Sequence, residues 1–324
     1  MFKFIIRYAD LPHKERIEDF SAQLQQFENS EPISTIVDIL QNIEGIKKND
    51  YSSLFDFFRQ FDSRTGDLHR TTGSKGKAID QKSAPFKKDL YDAFYELGFI
   101  ANNHAEGLHE VDVLAVLGGG FNANYDRCIK AYNEFSSLDR CDKIVALSTY
   151  RKISEAEKLK TVKYSPADTE FEVLTDCFPA VFNIDNDKIT LFEQITDDLT
   201  TSSKIVAFKQ RYQGIQIESY AAPKSDPKML RANTKDTFEF YFKNNKLPKA
   251  SDWLLITSNI YTPVQIIQFF GQALENEANA KIVGNWEDSQ LTTLDEFEVH
   301  KYLNELSKVF SEKELFETKY TCRK

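Results

Sequence analysis

Val111-Asp112-Val113-Leu114-Ala115-Val116-Leu117-Gly118-Gly119-Gly120-Phe121-Asn122-Ala123-Asn124-Tyr125-Asp126-Arg127 is the stretch on which the reading of the fold turns. The run from Val111 to Leu117 is too continuously apolar for a strand with one wet face. It predicts a central strand of a parallel sheet covered on both sides. Three glycines follow directly, although the whole chain of 324 residues contains only 12. Such a cluster lets backbone N–H groups approach an anion at the positive end of the helix opening at Asn122, where a side chain would block contact. Arg127, in the first turns of that helix, offers a guanidinium to the same anion. A tight strand-to-helix turn is the plainer use of the same glycines.

Downstream the alternation continues. Short apolar runs at 143–147, 215–221, 253–256 and 281–283 are interleaved with helical stretches at 125–135, 154–160, 169–178, 237–242 and 264–274. Strands alternating with helices predict βαβ units and a mostly parallel sheet. Ser154 and Glu157 have the spacing of a capping box, which marks a helix start. A further apolar run, 205–208, lies just before the strand at 215–221 and predicts a hairpin insertion there. Residues 294–316 read as an acidic amphipathic helix packed on the sheet.

Upstream of residue 110 the periodicity is helical, through Ile17, Phe20, Leu24 and Phe27, then Ile36, Val37, Leu40 and Ile43, then Tyr51 to Phe58, then Phe86 to Leu97. Residues 63–88 carry Arg64, Arg70, Lys75, Lys77, Lys82, Lys87 and Lys88 and read as a basic loop, either a solvated one or a lid closing on a phosphorylated ligand. At roughly 150 residues per domain the length allows about two. The division expected is a helical region at 1–109 with the basic loop 63–88, and an α/β domain at 110–324 with a C-terminal helix.

Composition limits the function classes. Apolar residues make up 41% and the net charge is −9, so no global positive field exists for nucleic acid or an anionic membrane, and neither is expected as a partner. Any anion site must be local. No apolar run approaches the roughly 18 residues of a membrane span, and the patch at 4–6 is too brief for a signal-peptide core, which predicts a cytoplasmic protein. The four cysteines form no C-x-x-C pair and the five histidines no H-x-x-x-H, so no metal is expected. No G-x-S-x-G elbow and no Walker lysine is present.

The remaining candidates lie at strand ends, where open α/β sheets bind ligands. They are Gly118, Gly119, Gly120, Asn122 and Arg127 after the first strand, Arg151 after the second, Arg231, Asn233 and Thr234 after the third, and Ser258 and Tyr261 after the fourth. Each loop alone fits ordinary helix capping, with Asn233 or Thr234 as an N-cap. Gly118-x-Gly120-x-x-Ala123 meets the dinucleotide fingerprint formally. The acid that should end the second strand is replaced by Ser148-Thr149-Tyr150-Arg151, which argues against a nicotinamide cofactor. No cofactor is assigned. Glu170 is the candidate for general acid/base work; its plainer role is a favourable charge at a helix start.

The triple glycine with Arg127, the Arg231-x-Asn233-Thr234 segment and Thr257-Ser258 before a Tyr/Pro turn resemble the YdcF/SanA/ElyC-like family over residues 110–285. The resemblance implies a Rossmann-like three-layer domain whose strand-end loops form the ligand site. The family's Ser-Gly-Gly after the second strand is Ser148-Thr149-Tyr150 here, the histidine common after the fourth strand is absent, and 1–109 has no counterpart. Two functions follow as expectations: a hydrolase or transferase acting on a phosphate-bearing nucleotide or nucleotide-sugar, or a non-catalytic ligand sensor that reaches a protein partner through the helical region.

Overall fold

The structure, a computed structural model, describes residues 4, 11–43, 46, 51–63, 74–100, 108–158, 167–246, 251–276, 278–283 and 292–320. Its helices are α1 (His13–Glu28), α2 (Glu31–Gln41), α3 (Leu54–Arg59), α4 (Ser74–Ser83), α5 (Lys87–Glu96), α6 (Phe121–Phe135), α7 (Glu155–Lys158), α8 (Glu170–Phe182), α9 (Thr234–Asn244), α10 (Thr262–Asn276) and α11 (Val299–Tyr320). Its strands are β1 (Glu110–Leu117), β2 (Arg140–Thr149), β3 (Lys188–Gln194), β4 (Ser203–Phe208), β5 (Gln216–Ala222), β6 (Asp252–Ile256) and β7 (Asn279–Val283).

The fold is α/β with a mixed, mostly parallel sheet in the order β3-β4-β5-β2-β1-β6-β7. Strands β5, β2, β1, β6 and β7 run parallel. β1 sits at the centre because both of its faces are covered: from Val113 to Leu117 every residue is buried. One face packs on α6 and α8 through Val111, Leu114, Val116, Cys128, Leu174 and Phe178. The other packs on α9 and α10 through Val113, Ala115, Leu117, Phe238 and Phe269. The chain leaves β1 toward β2 and β5, then crosses back to β6 on the other side of β1. Strand order therefore reverses between β1 and β6, where the glycine corner and the Ser258 loop meet.

Local chemistry explains the boundaries. α8 opens with a complete capping box, Thr169 with Glu172, and closes on Asn183 in the left-handed region at φ 51°. α9 opens with a second box, Asn233 with Asp236. The expected hairpin is present: β4 pairs antiparallel with β5 through a turn at Gln213 and Gly214, both at positive φ. A further strand, β3, pairs antiparallel with β4 at the sheet edge, which the sequence reading lacks.

Two expectations are corrected. Residues 74–83 of the basic stretch form α4 rather than a loop, because α11 packs on it. His300 lies against Gly76, where a Cβ would come within 2.7 Å of its ring, and its N–H and Nδ1 meet Asp80 at 3.0 and 2.7 Å. Arg64 and Arg70 lie outside the described residues. The C-terminal helix packs on α10, α3, α4 and α5 rather than on the sheet. Phe20 stacks on Phe270 at 3.7 Å and Phe58 on Phe310 at 4.7 Å, so the N-terminal helices share one apolar core with α10 and α11. Among the described residues no helix is long and apolar enough to cross a membrane.

Candidate functional site

The three glycines do different work. Gly118 donates its N–H to Leu147 O at 2.7 Å, and a Cβ there would collide with Glu170 Oε1 and Ser148 Cβ. Gly119 donates to Asn124 Oδ1 at 2.8 Å, and a Cβ there would strike the Arg127 guanidinium. Those two are required by the chain's own side chains. Gly120 is different: at φ −63° and ψ 167° its backbone suits any residue, and among the described residues a Cβ would meet only Glu157 Oε1, at 3.4 Å.

Arg127 is 1% exposed and turned inward. Its Nη1 donates to Leu117 O and Gly118 O, both at 2.6 Å, and its Nε and Nη2 donate to Ser258 Oγ at 3.1 and 3.0 Å. The Tyr261 ring lies 5.7 Å from the guanidinium carbon. Burial pushes the guanidinium below its ordinary pKa, against the opposing pull of Tyr261, Glu170 and Asp126. Four of its five N–H groups are spent tying β1 to the loop after β6, so Arg127 stitches the switch point and does not reach out to a ligand.

Arg151 is the cation beside the helix start. Its Nε donates to Glu170 Oε2 at 2.9 Å, its Nη1 and Nη2 grip both oxygens of Glu157 at 3.0 Å, and Nη2 also reaches Gly119 O at 3.2 Å. Burial works against its charge, yet the two carboxylates raise its pKa above the ordinary value. Burial alone would likewise raise Glu157, but the bonds from Arg151 and Ser154 prevail and hold it at about 2. Glu157 thus serves twice, as the capping-box partner of Ser154 and as an internal anion beside Gly120. The spacing of Ser154 and Glu157 in the chain shows only the cap. Glu170 is buried, with one oxygen on Arg151 and the other pressed toward Gly118.

At the head of α6, Gly120 supplies no side-chain cap, and Asn122 is exposed on the first turn. Among the described residues the N–H groups of Phe121, Asn122 and Ala123 have no partner, the ordinary condition of an uncapped helix start. Asn233 and Thr234 bond at the head of α9. Asn233 caps α9 through Asp236 N, Thr234 Oγ1 accepts from Gln265 at 3.3 Å, and Arg231 lies half-buried in the preceding bend.

Ser258 also lines a cavity of about 190 Å³ with Asn259, Thr292, Glu298 and Tyr302. Nucleotide-sized ligands occupy pockets of roughly 300 Å³ or more, so this cavity alone would not hold one. Asp80, Glu298 and His300 bring ligand atoms within 4.8 Å of one another, the one such group among the described residues. His300 bonds Asp80 and Lys301 bonds Glu298, so these charges are already met within the chain.

No family model matches the chain, and no curated protein or solved structure is found similar to it.

Proposed function

We propose that the chain binds a phosphate-bearing small molecule, of the nucleotide or nucleotide-sugar type, at the carboxyl-end edge of the sheet, seated on the head of α6. Gly120 carries this reading. Gly118 and Gly119 are accounted for by Glu170, Ser148 and Arg127, whereas among the described residues no steric or conformational need accounts for Gly120. Its missing side chain leaves the first turn of a 15-residue helix uncapped, with amides that have no partner among the described residues, which is the arrangement that receives an anion. The reading includes a Rossmann-like domain of the YdcF/SanA/ElyC-like kind, located in the cytoplasm, where the buried Cys128, Cys141 and Cys177 remain thiols.

Hydrolase or transferase chemistry would rest on Glu170. Its ion pair with Arg151 at 2.9 Å favours a second reading, since that carboxylate oxygen is already taken up inside the chain. In that reading the chain senses the ligand without turning it over.

Titration of the purified protein with inorganic phosphate, ADP and UDP-glucose tests the site. Wild type should bind at least one of them, and Gly120→Ala should bind about tenfold or more weakly at unchanged melting temperature. Failure of all three to bind wild type, or equal binding by Gly120→Ala, overturns the reading. Glu170→Gln separates the two functions: turnover lost with affinity kept marks an enzyme, and no turnover in either protein marks a sensor.

A further inference from the structure

We propose that β3 is a self-association edge, on which two copies of this chain pair their β3 strands antiparallel and extend the two sheets into one. The surface is independent of the ligand site, lying at the far edge of the sheet beyond β4 and β5. From Ile189 to Gln194 every residue of β3 is exposed. Ile189, Leu191, Phe192 and the adjoining Ile195 are 44, 53, 39 and 53% exposed, and they make up four of the seven exposed large apolar side chains among the described residues. An edge strand with open N–H and C=O groups and apolar side chains is a template for another strand.

The choice of a second copy comes from the strand's own pattern. Leu191 is an extra residue: Thr190 stands opposite Val206, but Phe192 stands opposite Ile205. The bulge shifts the alternation of side chains by one. Ile189 and Phe192, opposite Ala207 and Ile205, therefore share the α9 face, where Phe192 approaches Phe240 at 6.2 Å. Lys188 and Glu193, opposite Phe208 and Lys204, share the α8 face.

A twofold axis perpendicular to the sheet keeps each face continuous across the new strand pair. In the register that sets Lys188 against the second copy's Glu193, Ile189 falls against the second copy's Phe192 and Thr190 against its Leu191. Apolar residues then meet on one face and opposite charges on the other. Within one chain Lys188 bonds Asp176 at 3.2 Å and Glu193 bonds Lys204 at 2.5 Å. Pairing thus yields a row alternating in sign, Asp176, Lys188, the second copy's Glu193 and its Lys204. Without the bulge, this register would set residues of opposite faces against each other.

Sedimentation of the full chain from low to high micromolar concentration should show a dimer in wild type. Phe192→Lys should sediment as a monomer with the wild-type far-ultraviolet dichroism spectrum. Mixed Ile189→Cys and Phe192→Cys proteins, under mild oxidation, should give a disulfide-linked dimer containing one copy of each, which also decides the matter if Phe192→Lys folds poorly. A monomer at every concentration overturns the proposal. So does a dimer that persists in Phe192→Lys and forms no mixed cross-link, including association with another protein through β3.

Discussion

Arg127 and Ser258 stand 131 residues apart in the chain, and two N–H groups of the guanidinium converge on the one Ser258 hydroxyl. With Leu117 O and Gly118 O on the same side chain, this contact closes the gap between β1 and β6 where the sheet reverses its order. Arg127→Met is therefore a stability variant. It takes the guanidinium donors away from Leu117 O and Gly118 O, and the expected loss is about 3 kcal/mol. Urea unfolding followed by circular dichroism measures it. A midpoint equal to wild type would refute the stitching role.

The glycine corner makes a prediction that differs by position. Gly118→Ala and Gly119→Ala force Glu170, Ser148 or Arg127 to move and should each cost roughly 1–3 kcal/mol, the range of core overpacking. Gly120→Ala should unfold at the wild-type midpoint. If all three variants lose stability equally, the corner is a tight turn and Gly120 carries no separate meaning.

Glu157 gives the acid limb of the stability profile a recognisable shape. Its folded pKa of about 2 lies below the ordinary 4.5, so the stability it contributes is present above pH 4.5 and is lost as the pH falls toward 2. Glu157→Gln should be less stable than wild type at neutral pH, and the difference should shrink through that window. A constant gap between the two proteins from neutral pH to pH 2 would remove Glu157 from the account.

Phe20 tests whether the N-terminal helices are an independent unit. It stacks on Phe270 of α10 and touches Phe316 of α11 edge-on at 5.4 Å. Phe20→Ala should cost about 3–5 kcal/mol. Because the core is shared, it should lower the midpoint of one cooperative transition detected by both tryptophan fluorescence and far-ultraviolet dichroism. Two separated transitions, only one of them shifted, would show that the helices fold on their own.

The five parallel strands and most of the helices were legible in the chain because their signals are local. Strands such as Val113 to Leu117 run apolar without a break, which only burial on both faces rewards, and Ser154 with Glu157 and the N-cap Asn233 announce helix starts within four residues. β3 and α4 were not legible for a common reason. Lys188 to Gln194 buries no face, and α4 has few apolar side chains and takes its seat from α11.

The sequence by itself determined the alternation of strand and helix, the glycine-marked corner after β1 and the acidic balance that denies the chain a global positive field. The tertiary structure alone decided how the corner is used. Arg127 and Arg151 both looked available to a ligand, yet one is bound to Leu117, Gly118 and Ser258, and the other to Glu157 and Glu170. A charged side chain taken out of water must find partners near its final position, and partners such as Ser258 arrive from parts of the chain that no local pattern connects.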